Sequence, residues 1–246
     1  MQGLFFTGTD TGVGKTLITA AVARTLRTQG HDVRLCKPVA TGAAWVEGHW
    51  LSDDTLRLAE AEGNLEAWQD ITPWSFPDPV APPVAARCQG IRLSLDEMAA
   101  AVRRRSRPEA RVLVEGVGGL LCPLTEEATV ADLAQELKLP LIVVTRQSLG
   151  TLNHTLLTLE AAASRGLPVA GIVVNQTMPD QGLADQTNVE ELKKRIRIPI
   201  LAVLSHQNSA PSHDLLGLAE VDWNRLCHSE ARSRIKCEEH YPAWKP

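Results

Sequence analysis

Residues 8–16 follow the apolar run Leu4-Phe5-Phe6 and precede an amphipathic stretch that covers residues 17–26. They read Gly-Thr-Asp-Thr-Gly-Val-Gly-Lys-Thr, so a glycine-rich turn ends in the Gly-Lys-Thr that is typical of a phosphate-binding loop. Glycines allow backbone N–H groups to converge on phosphate oxygens, and the N-terminus of a following helix adds partial positive charge. The segment therefore predicts a strand, a tight loop and a helix in this order, with a nucleotide as the ligand.

The loop departs from the common template in one respect. The usual pattern has a glycine where Thr9 stands, whereas this chain has it one position earlier, at Gly8. A plain strand-to-helix turn that happens to contain Gly-Lys-Thr is the alternative interpretation. The agreement of motif and context favours the phosphate-binding loop, in which Lys15 reaches the β- and γ-phosphates and the Thr16 hydroxyl faces Mg²⁺.

Apolar strand-like runs alternate with helix-length segments along most of the chain. Runs that are apolar throughout and separated by helices indicate a parallel sheet covered on both faces. We therefore predict a single α/β domain of the P-loop NTPase fold, with a mostly parallel central sheet flanked by helices on both faces. The predicted strands cover residues 4–7, 33–36, 112–114, 141–145, 169–174 and 200–204, and the predicted helices cover residues 15–28, 95–105, 130–137, 151–165 and 189–195.

The domain is predicted to cover residues 1–222, and residues 223–246 are predicted to be a polar C-terminal extension without a core pattern. Residues 44–83 contain much of the proline, and we interpret them as an irregular insertion with one short helix over 54–61. Ligands of such folds bind at the carboxyl ends of the parallel strands. Polar residues that follow the strands are therefore the candidate site residues.

Composition argues against nucleic-acid and membrane partners. The net charge is −4, no apolar run has transmembrane length, and we expect no signal peptide before the first strand. The basic cluster Arg103-Arg104-Arg105 with Arg107 follows a predicted helix, and a solvated helix end is its simpler interpretation. Five scattered cysteines without a Cys-x-x-Cys pair indicate reduced thiols and a cytoplasmic protein.

Four further polar motifs lie at strand ends or at a helix start. They are Lys37-Pro38-Val39-Ala40-Thr41-Gly42 after the second strand, Ser52-Asp53-Asp54-Thr55-Leu56 at the short helix, Glu115-Gly116-Val117-Gly118-Gly119 after the third strand, and Asn175 after the fifth. Together with the loop, this set closely resembles the dethiobiotin synthetases, the ATP-dependent cyclo-ligases of biotin biosynthesis. The resemblance covers roughly residues 1–205, and its motifs are specific in combination, although each alone would be weak.

The resemblance implies a site for ATP and Mg²⁺. A Mg²⁺ ion that bridges two phosphates prefers hard oxygen ligands and one or two carboxylates, and the residues that match the family's metal ligands are Thr16, Asp54 and Glu115. Asp53 competes with Asp54, and a helix cap or first-turn acid is the plain interpretation of these aspartates. The implied nucleotide contacts are Gly12, Val13, Gly14, Lys15, Thr16, Leu17, Asp54, Glu115, Gly116, Val117 and Gly118, with Asn175 at the adenine.

Lys37 and Lys15 are the predicted catalytic residues, because their charges would offset charge that grows on the transferring phosphoryl group. A snorkelling surface lysine is the alternative for Lys37. The resemblance implies small-molecule substrates, 7,8-diaminopelargonate and CO₂ beside ATP, and a homodimer with the substrate site at its interface. The diamine would be held by Thr41 and by Gly150, Thr151, Leu152 and Asn153, for which a loop threonine and a helix start are the plain interpretations.

Two other functions fit a chain with such a loop. Partitioning-type P-loop switch ATPases usually carry a second lysine early in the loop, where this chain has Thr9 and Asp10. A cobyrinate-type amide ligase couples to a glutaminase domain, and we expect no such domain in the residues that follow 205. The chain also departs from the resembled family, since Ala202-Val203-Leu204-Ser205-His206 lacks the usual proline and Tyr241 is the sole tyrosine.

Overall fold

A computed structural model of the chain describes residues 1–179, 182–206 and 216–228. Its centre is a six-stranded sheet in the order β10-β9-β8-β1-β7-β2, and every neighbouring pair is parallel. The sheet confirms the predicted α/β architecture with its parallel centre. Its strands, numbered along the chain, are β1 (Gln2–Gly8), β2 (Val33–Cys36), β7 (Arg111–Gly119), β8 (Leu141–Arg146), β9 (Val169–Asn175) and β10 (Ile200–Leu204).

Helices cover both faces of this sheet. Alternate side chains of β1 enter different cores, since Phe5 packs on one face and Leu4 and Phe6 on the other. The face of Leu4 carries α1 (Lys15–Thr28), α2 (Asp53–Glu62), α3 (Trp68–Ile71), α9 (Leu216–Ala219) and α10 (Trp223–Cys227), and the face of Phe5 carries α4 (Pro82–Cys88), α5 (Leu95–Arg105), α6 (Val130–Leu137), α7 (Thr151–Ser164) and α8 (Leu183–Arg195). No helix in the described ranges is long and apolar enough to cross a membrane.

Local capping explains why the predicted bounds of α5 and α6 agree with the structure. The Ser94 hydroxyl accepts a hydrogen bond from the backbone N–H of Glu97, and Thr129 and Asp132 form a capping box at α6. The helix α8 instead begins six residues before its predicted start. Its first turns bury Asp185 and Asn188, so they lack the apolar periodicity on which the prediction depended.

Residues 44–83 are more regular than the predicted irregular insertion. Strands β4 (Ala44–Val46) and β5 (His49–Leu51) form an antiparallel hairpin, and β3 (Val39–Thr41) pairs in parallel with β6 (Trp74–Phe76). A single 3₁₀ turn (Leu65–Ala67) precedes α3. Strands of three residues are too short to show the alternation from which a strand is predicted.

The expectation that the chain has no core residues after Asp222 is wrong for residues 223–227. Trp223 and Cys227 are fully buried, and the Trp223 indole Nε1 donates to the carbonyl oxygen of Leu218 at 2.7 Å. They form one face of the five-residue helix α10, which is too short for a periodic apolar signal. The predicted extension from residue 229 onward, with Tyr241, lies outside the described residues.

Candidate active site

The loop between β1 and α1 needs glycine at two positions. Gly12 has φ +72° and Gly14 has φ +95°, a region that residues with a Cβ rarely adopt. A Cβ atom at Gly14 would also lie 2.2 Å from the Asn175 side-chain nitrogen. The loop therefore combines a left-handed backbone with close packing, and it leads directly into the first residue of α1, Lys15.

Asn175 contacts the loop from the end of β9. Its buried Nδ2 donates to the backbone carbonyl of Val13 at 3.0 Å. Strand β9 is two positions from β1 in the sheet, so the strand order brings this side chain to the loop. The structure thus places the residue predicted to contact adenine against the backbone of the phosphate-binding loop.

Lys15 is almost completely buried beneath its own loop. Its Nζ donates to the backbone carbonyl of Asp10 at 3.0 Å, and the side chain lies in the field of Glu115 and Lys37. Burial lowers the pKa of Lys15 from its ordinary value, and the nearby Lys37 adds to this effect. A phosphate group at the loop would relieve this cost by supplying negative charge.

Lys37 forms a buried ionic cluster with two carboxylates. It is only 4% exposed, its Nζ donates to Glu115 Oε1 at 2.8 Å, and it also contacts the Asp54 carboxylate. Burial would lower the pKa of Lys37, but Glu115 and Asp54 outweigh it and raise the pKa above its ordinary value. The snorkelling surface lysine is thereby excluded, since this cation is buried and paired with two carboxylates.

Asp54 reaches this cluster because of the way α2 begins. The Ser52 hydroxyl caps the helix by accepting a hydrogen bond from the Thr55 N–H at 3.1 Å, which places two aspartates in the first turn. Asp53 points to solvent, whereas Asp54 faces Lys37. Burial would raise the pKa of Asp54, but the Lys37 charge outweighs it and lowers the pKa.

Glu115 has the features of a carboxylate that can receive a metal ion. Its Oε1 accepts hydrogen bonds from the Thr16 hydroxyl at 2.7 Å and from Lys37, while its buried Oε2 has no partner among the described residues. An unsatisfied buried carboxylate oxygen is costly unless a donor or cation reaches it. Thr16, Asp54 and Glu115 therefore fit Mg²⁺, which uses few protein carboxylates when phosphates complete its coordination.

Comparisons with known proteins identify the family of this chain. Residues 2–212 match a family model described as an AAA domain. The ATP-dependent dethiobiotin synthetase BioD of Anaeromyxobacter dehalogenans (strain 2CP-C) is 46% identical over 204 residues, which cover 83% of this chain and 90% of that protein. The chain belongs to the dethiobiotin synthetase family. Further members are 40% identical in Aromatoleum aromaticum (82% of this chain, 89% of the relative) and 37% identical in Bacillus subtilis strain 168 (82% and 87%).

Solved structures support the fold alone. A ParA family ATPase from Chlorobium tepidum has a TM-score of 0.53 and 15% identity, covering 91% of this chain and 98% of that chain. A MinC:MinD cell division complex from Aquifex aeolicus has a TM-score of 0.50 and 14% identity, with coverages of 92% and 86%. The sequence relatives thus confirm the prediction, made from the motifs, that the chain belongs to the dethiobiotin synthetase family.

The second glycine-rich motif of the chain, residues 116–119, follows Glu115 within β7. A Cβ atom at Gly116 would lie 2.7 Å from Val130 and 3.2 Å from Phe5, so packing against α6 is sufficient to require glycine there. Val117 is half-buried, and Gly118 has φ +61°. The strand therefore bends past the phosphate-binding loop, with Gly119 paired to Gly8.

The predicted substrate residues lie in two separate places. Thr41 ends β3, and Gly150 precedes α7 with φ +94° and no side-chain cap. The Thr151 hydroxyl is buried against Thr145 at 2.8 Å, while Asn153 is exposed and Leu152 is half-buried. The contacts of Thr151 indicate that it positions the start of α7.

Two residues that the sequence motifs did not include connect these parts, Thr145 and Arg146 at the end of β8. The Thr145 hydroxyl lies 3.2 Å from that of Thr9, so one threonine links the phosphate-binding loop to α7. Arg146 donates to Asp10 Oδ2 at 3.2 Å and to the Thr11 carbonyl at 3.1 Å. Their position at the carboxyl end of an apolar strand was the available signal.

Proposed function

We propose that this protein is an ATP-dependent dethiobiotin synthetase that converts 7,8-diaminopelargonate, CO₂ and ATP into dethiobiotin, ADP and phosphate. The observation that carries the proposal is the buried cation Lys37, held by Asp54 and Glu115 beside a phosphate-binding loop. A phosphoryl group at the loop would meet positive charge from Lys15 on one side and Lys37 on the other. The 36–46% identity to named family members supports this reaction.

The reaction requires positioning and charge neutralisation from the protein. The 7-amino nitrogen of the diamine bonds to CO₂ and loses a proton, which gives a carbamate. A carbamate oxygen attacks the γ-phosphorus and ADP leaves with the electrons of the broken P–O bond. The 8-amino nitrogen then attacks the carbamate carbon and loses a proton, the C–O bond to phosphate breaks so that phosphate leaves with its electrons, and a five-membered ureido ring closes. No covalent nucleophile on the protein is needed.

The side chains match these demands in a specific way. Lys15 and the backbone N–H groups of residues 12–17 would hold the β- and γ-phosphates, and Lys37 would stabilise charge on the transferring group. Thr16, Asp54 and Glu115 would hold Mg²⁺, which when bound supplies further positive charge to the phosphates. Gly116 to Gly118 and Asn175 would complete the nucleotide site.

We further propose a homodimer in which the start of α7 contributes to the diamine site. Two leucines support this proposal, because Leu149 is 88% exposed just before α7 and Leu157 is 56% exposed within it. We expect Leu157→Lys to shift sedimentation of the full chain toward monomer and to raise KM for the diamine. Ile91→Lys, at an apolar residue exposed elsewhere, is the control, and a Leu157→Lys chain that sediments like the wild type would contradict this interface.

We also propose that the protein is cytoplasmic. All four cysteines in the described ranges are free thiols, and two of them, Cys36 and Cys227, are fully buried. A fold stabilised without disulfides suits a reducing compartment, in which thiols stay reduced.

The decisive experiment measures phosphate release from ATP by the purified full chain. We expect release that requires both the diamine and bicarbonate, with formation of the ureido product followed by mass spectrometry. A partitioning-type switch would instead hydrolyse ATP at a rate set by DNA or a protein partner. Hydrolysis that neither the diamine nor bicarbonate changes would refute the ligase and favour the switch.

A further inference from the structure

A cavity of about 320 Å³ lies between the C-terminal ends of α2 and α5, away from the candidate active site. The charged residues that line it are Arg34, Arg104, Arg105, Arg107, Glu62 and Asp70. None of the residues assigned to nucleotide, metal or substrate binding lines this cavity. The cavity is therefore a separate feature, and it contains most of the basic cluster seen in the sequence.

Glu62 holds two of these arginines in place. Its side chain is 2% exposed, and Oε2 accepts hydrogen bonds from the Leu35 N–H at 2.7 Å and from Arg105 at 2.6 Å. Arg34 lies 3.5 Å from Oε1 of the same carboxylate and 3.1 Å from the Asp32 carboxylate. Glu62 thus orients Arg105 and, together with Asp32, also Arg34, and an oriented guanidinium loses less freedom when it binds an anion.

Arg104 and Arg107 differ from these two. Both are exposed, and neither side chain has a hydrogen-bond or ion-pair partner within residues 1–179, 182–206 and 216–228. Arg103 belongs to the same helical turn but does not line the cavity, and it pairs with Glu136. The basic cluster is therefore divided, with Arg103 paired elsewhere and the other three arginines at the cavity.

The cavity carries excess positive charge in a chain whose net charge is −4. Four arginines and two carboxylates line it, and a third carboxylate, Asp32, pairs with Arg34 at 3.1 Å, which leaves an excess of one positive charge. The Asp70 carboxylate is 79% exposed and lies 3.7 Å from Arg105, so solvent screens much of its effect. The volume would hold roughly ten water molecules at liquid density, which is enough for a small polyatomic anion.

We propose that this cavity binds a compact multivalent oxyanion of the inorganic phosphate class. Guanidinium groups bind phosphate oxygens through paired charge-assisted hydrogen bonds. Arg104 and Arg107 supply unpaired donors, and Arg105, held by Glu62, supplies a fixed one. The site does not depend on the proposed reaction, since it uses none of the active-site residues.

The experiment titrates inorganic phosphate into the full chain in a calorimeter at low ionic strength. Mg²⁺ and a non-hydrolysable ATP analogue are present at saturation, so that the phosphate-binding loop is already filled. We expect saturable binding at one site, with an affinity that falls as salt is added because the arginines are exposed. Analogue binding is measured separately, so failure of the nucleotide site is distinguished from failure of this one.

The double variant Arg104→Gln with Arg107→Gln should weaken phosphate binding at least tenfold, since two charge-assisted hydrogen bonds are lost. Arg103→Gln is the matched control, and its affinity should stay within twofold of the wild type. The absence of saturable binding to the wild type, or an unchanged affinity in the double variant, would overturn the proposal. RNA binding through these arginines, without saturable binding of inorganic phosphate, would also overturn the proposal.

Discussion

Replacing Lys37 by alanine tests both the fold and the chemistry of the buried cluster. The change removes the cation that contacts Glu115 and Asp54 and leaves the Glu115 carboxylate buried with Thr16 as its remaining donor. Breaking a buried ion pair in this way costs about 3–5 kcal/mol of unfolding free energy. Asp54 adds little, because its side chain is 44% exposed and solvent screens its charge.

The same variant should lose catalysis as well as stability. Removing one preorganised donor to a developing charge typically lowers kcat about 10²–10³-fold. We expect urea unfolding to show the lost stability and phosphate release with diamine and bicarbonate to show the lost turnover. Lys194→Ala is the control, because this exposed lysine pairs with Glu191 on α8 and should change stability by less than about 1 kcal/mol.

A double variant separates the two effects of Lys37→Ala. Adding Glu115→Gln removes the uncompensated negative charge, so Lys37→Ala with Glu115→Gln should be more stable than Lys37→Ala alone. Its turnover should stay low, because neither the cation nor the carboxylate is restored. A Lys37→Ala variant that unfolds like the wild type, or a double variant that regains turnover together with stability, would contradict these roles of Lys37.

Three further predictions follow from single contacts. Gly14→Ala should destabilise the protein by more than the roughly 1–2 kcal/mol expected for its left-handed backbone, because the new Cβ would clash with Asn175. Gly30→Ala is the control, since Gly30 has φ +86° but open space around its Cβ position. A urea titration of both variants separates the cost of the backbone from the cost of the clash. Trp223→Ala should lower the free energy of unfolding by about 3–5 kcal/mol. Trp45→Ala, at a tryptophan that is 60% exposed, should lower it by well under about 1 kcal/mol. Equal urea unfolding midpoints for the two variants would contradict the burial of α10. Because burial lowers the pKa of Lys15 from 10.5, the contribution of Lys15 to the stability of the ligand-free protein should rise as the pH approaches 10.5, where the unfolded chain still binds the proton that folded Lys15 has lost. Lys37, whose pKa is raised, contributes in the opposite direction, so the effect is measured as the difference in unfolding free energy between the wild type and Lys15→Met. ADP binding at alkaline pH should take up protons in calorimetry, and Lys15→Met should abolish this uptake.

The sequence alone determined the bounds of those strands and helices that are specified by neighbouring residues. Strand β2 and helices α1, α5 and α6 have the predicted bounds, because apolar runs, caps and glycines act within a few residues. The motifs likewise identified the family, which the relatives confirm. The roles of the individual site residues stay predictions, although the structure places Lys15, Thr16, Lys37, Asp54 and Glu115 together.

Only the tertiary structure decided how these residues meet. The resemblance favoured Asp54 over Asp53, but charge could not separate these two first-turn acids, and the packing of α2 is what turns Asp54 toward Lys37. Sequence could not show that Asn175 bonds to Val13, because 162 positions separate them and strand order brings them together. Burial of Trp223, the link through Thr145 and the divided arginine cluster are equally non-local. Such contacts depend on which elements pack against each other, whereas a sequence pattern reports only on near neighbours.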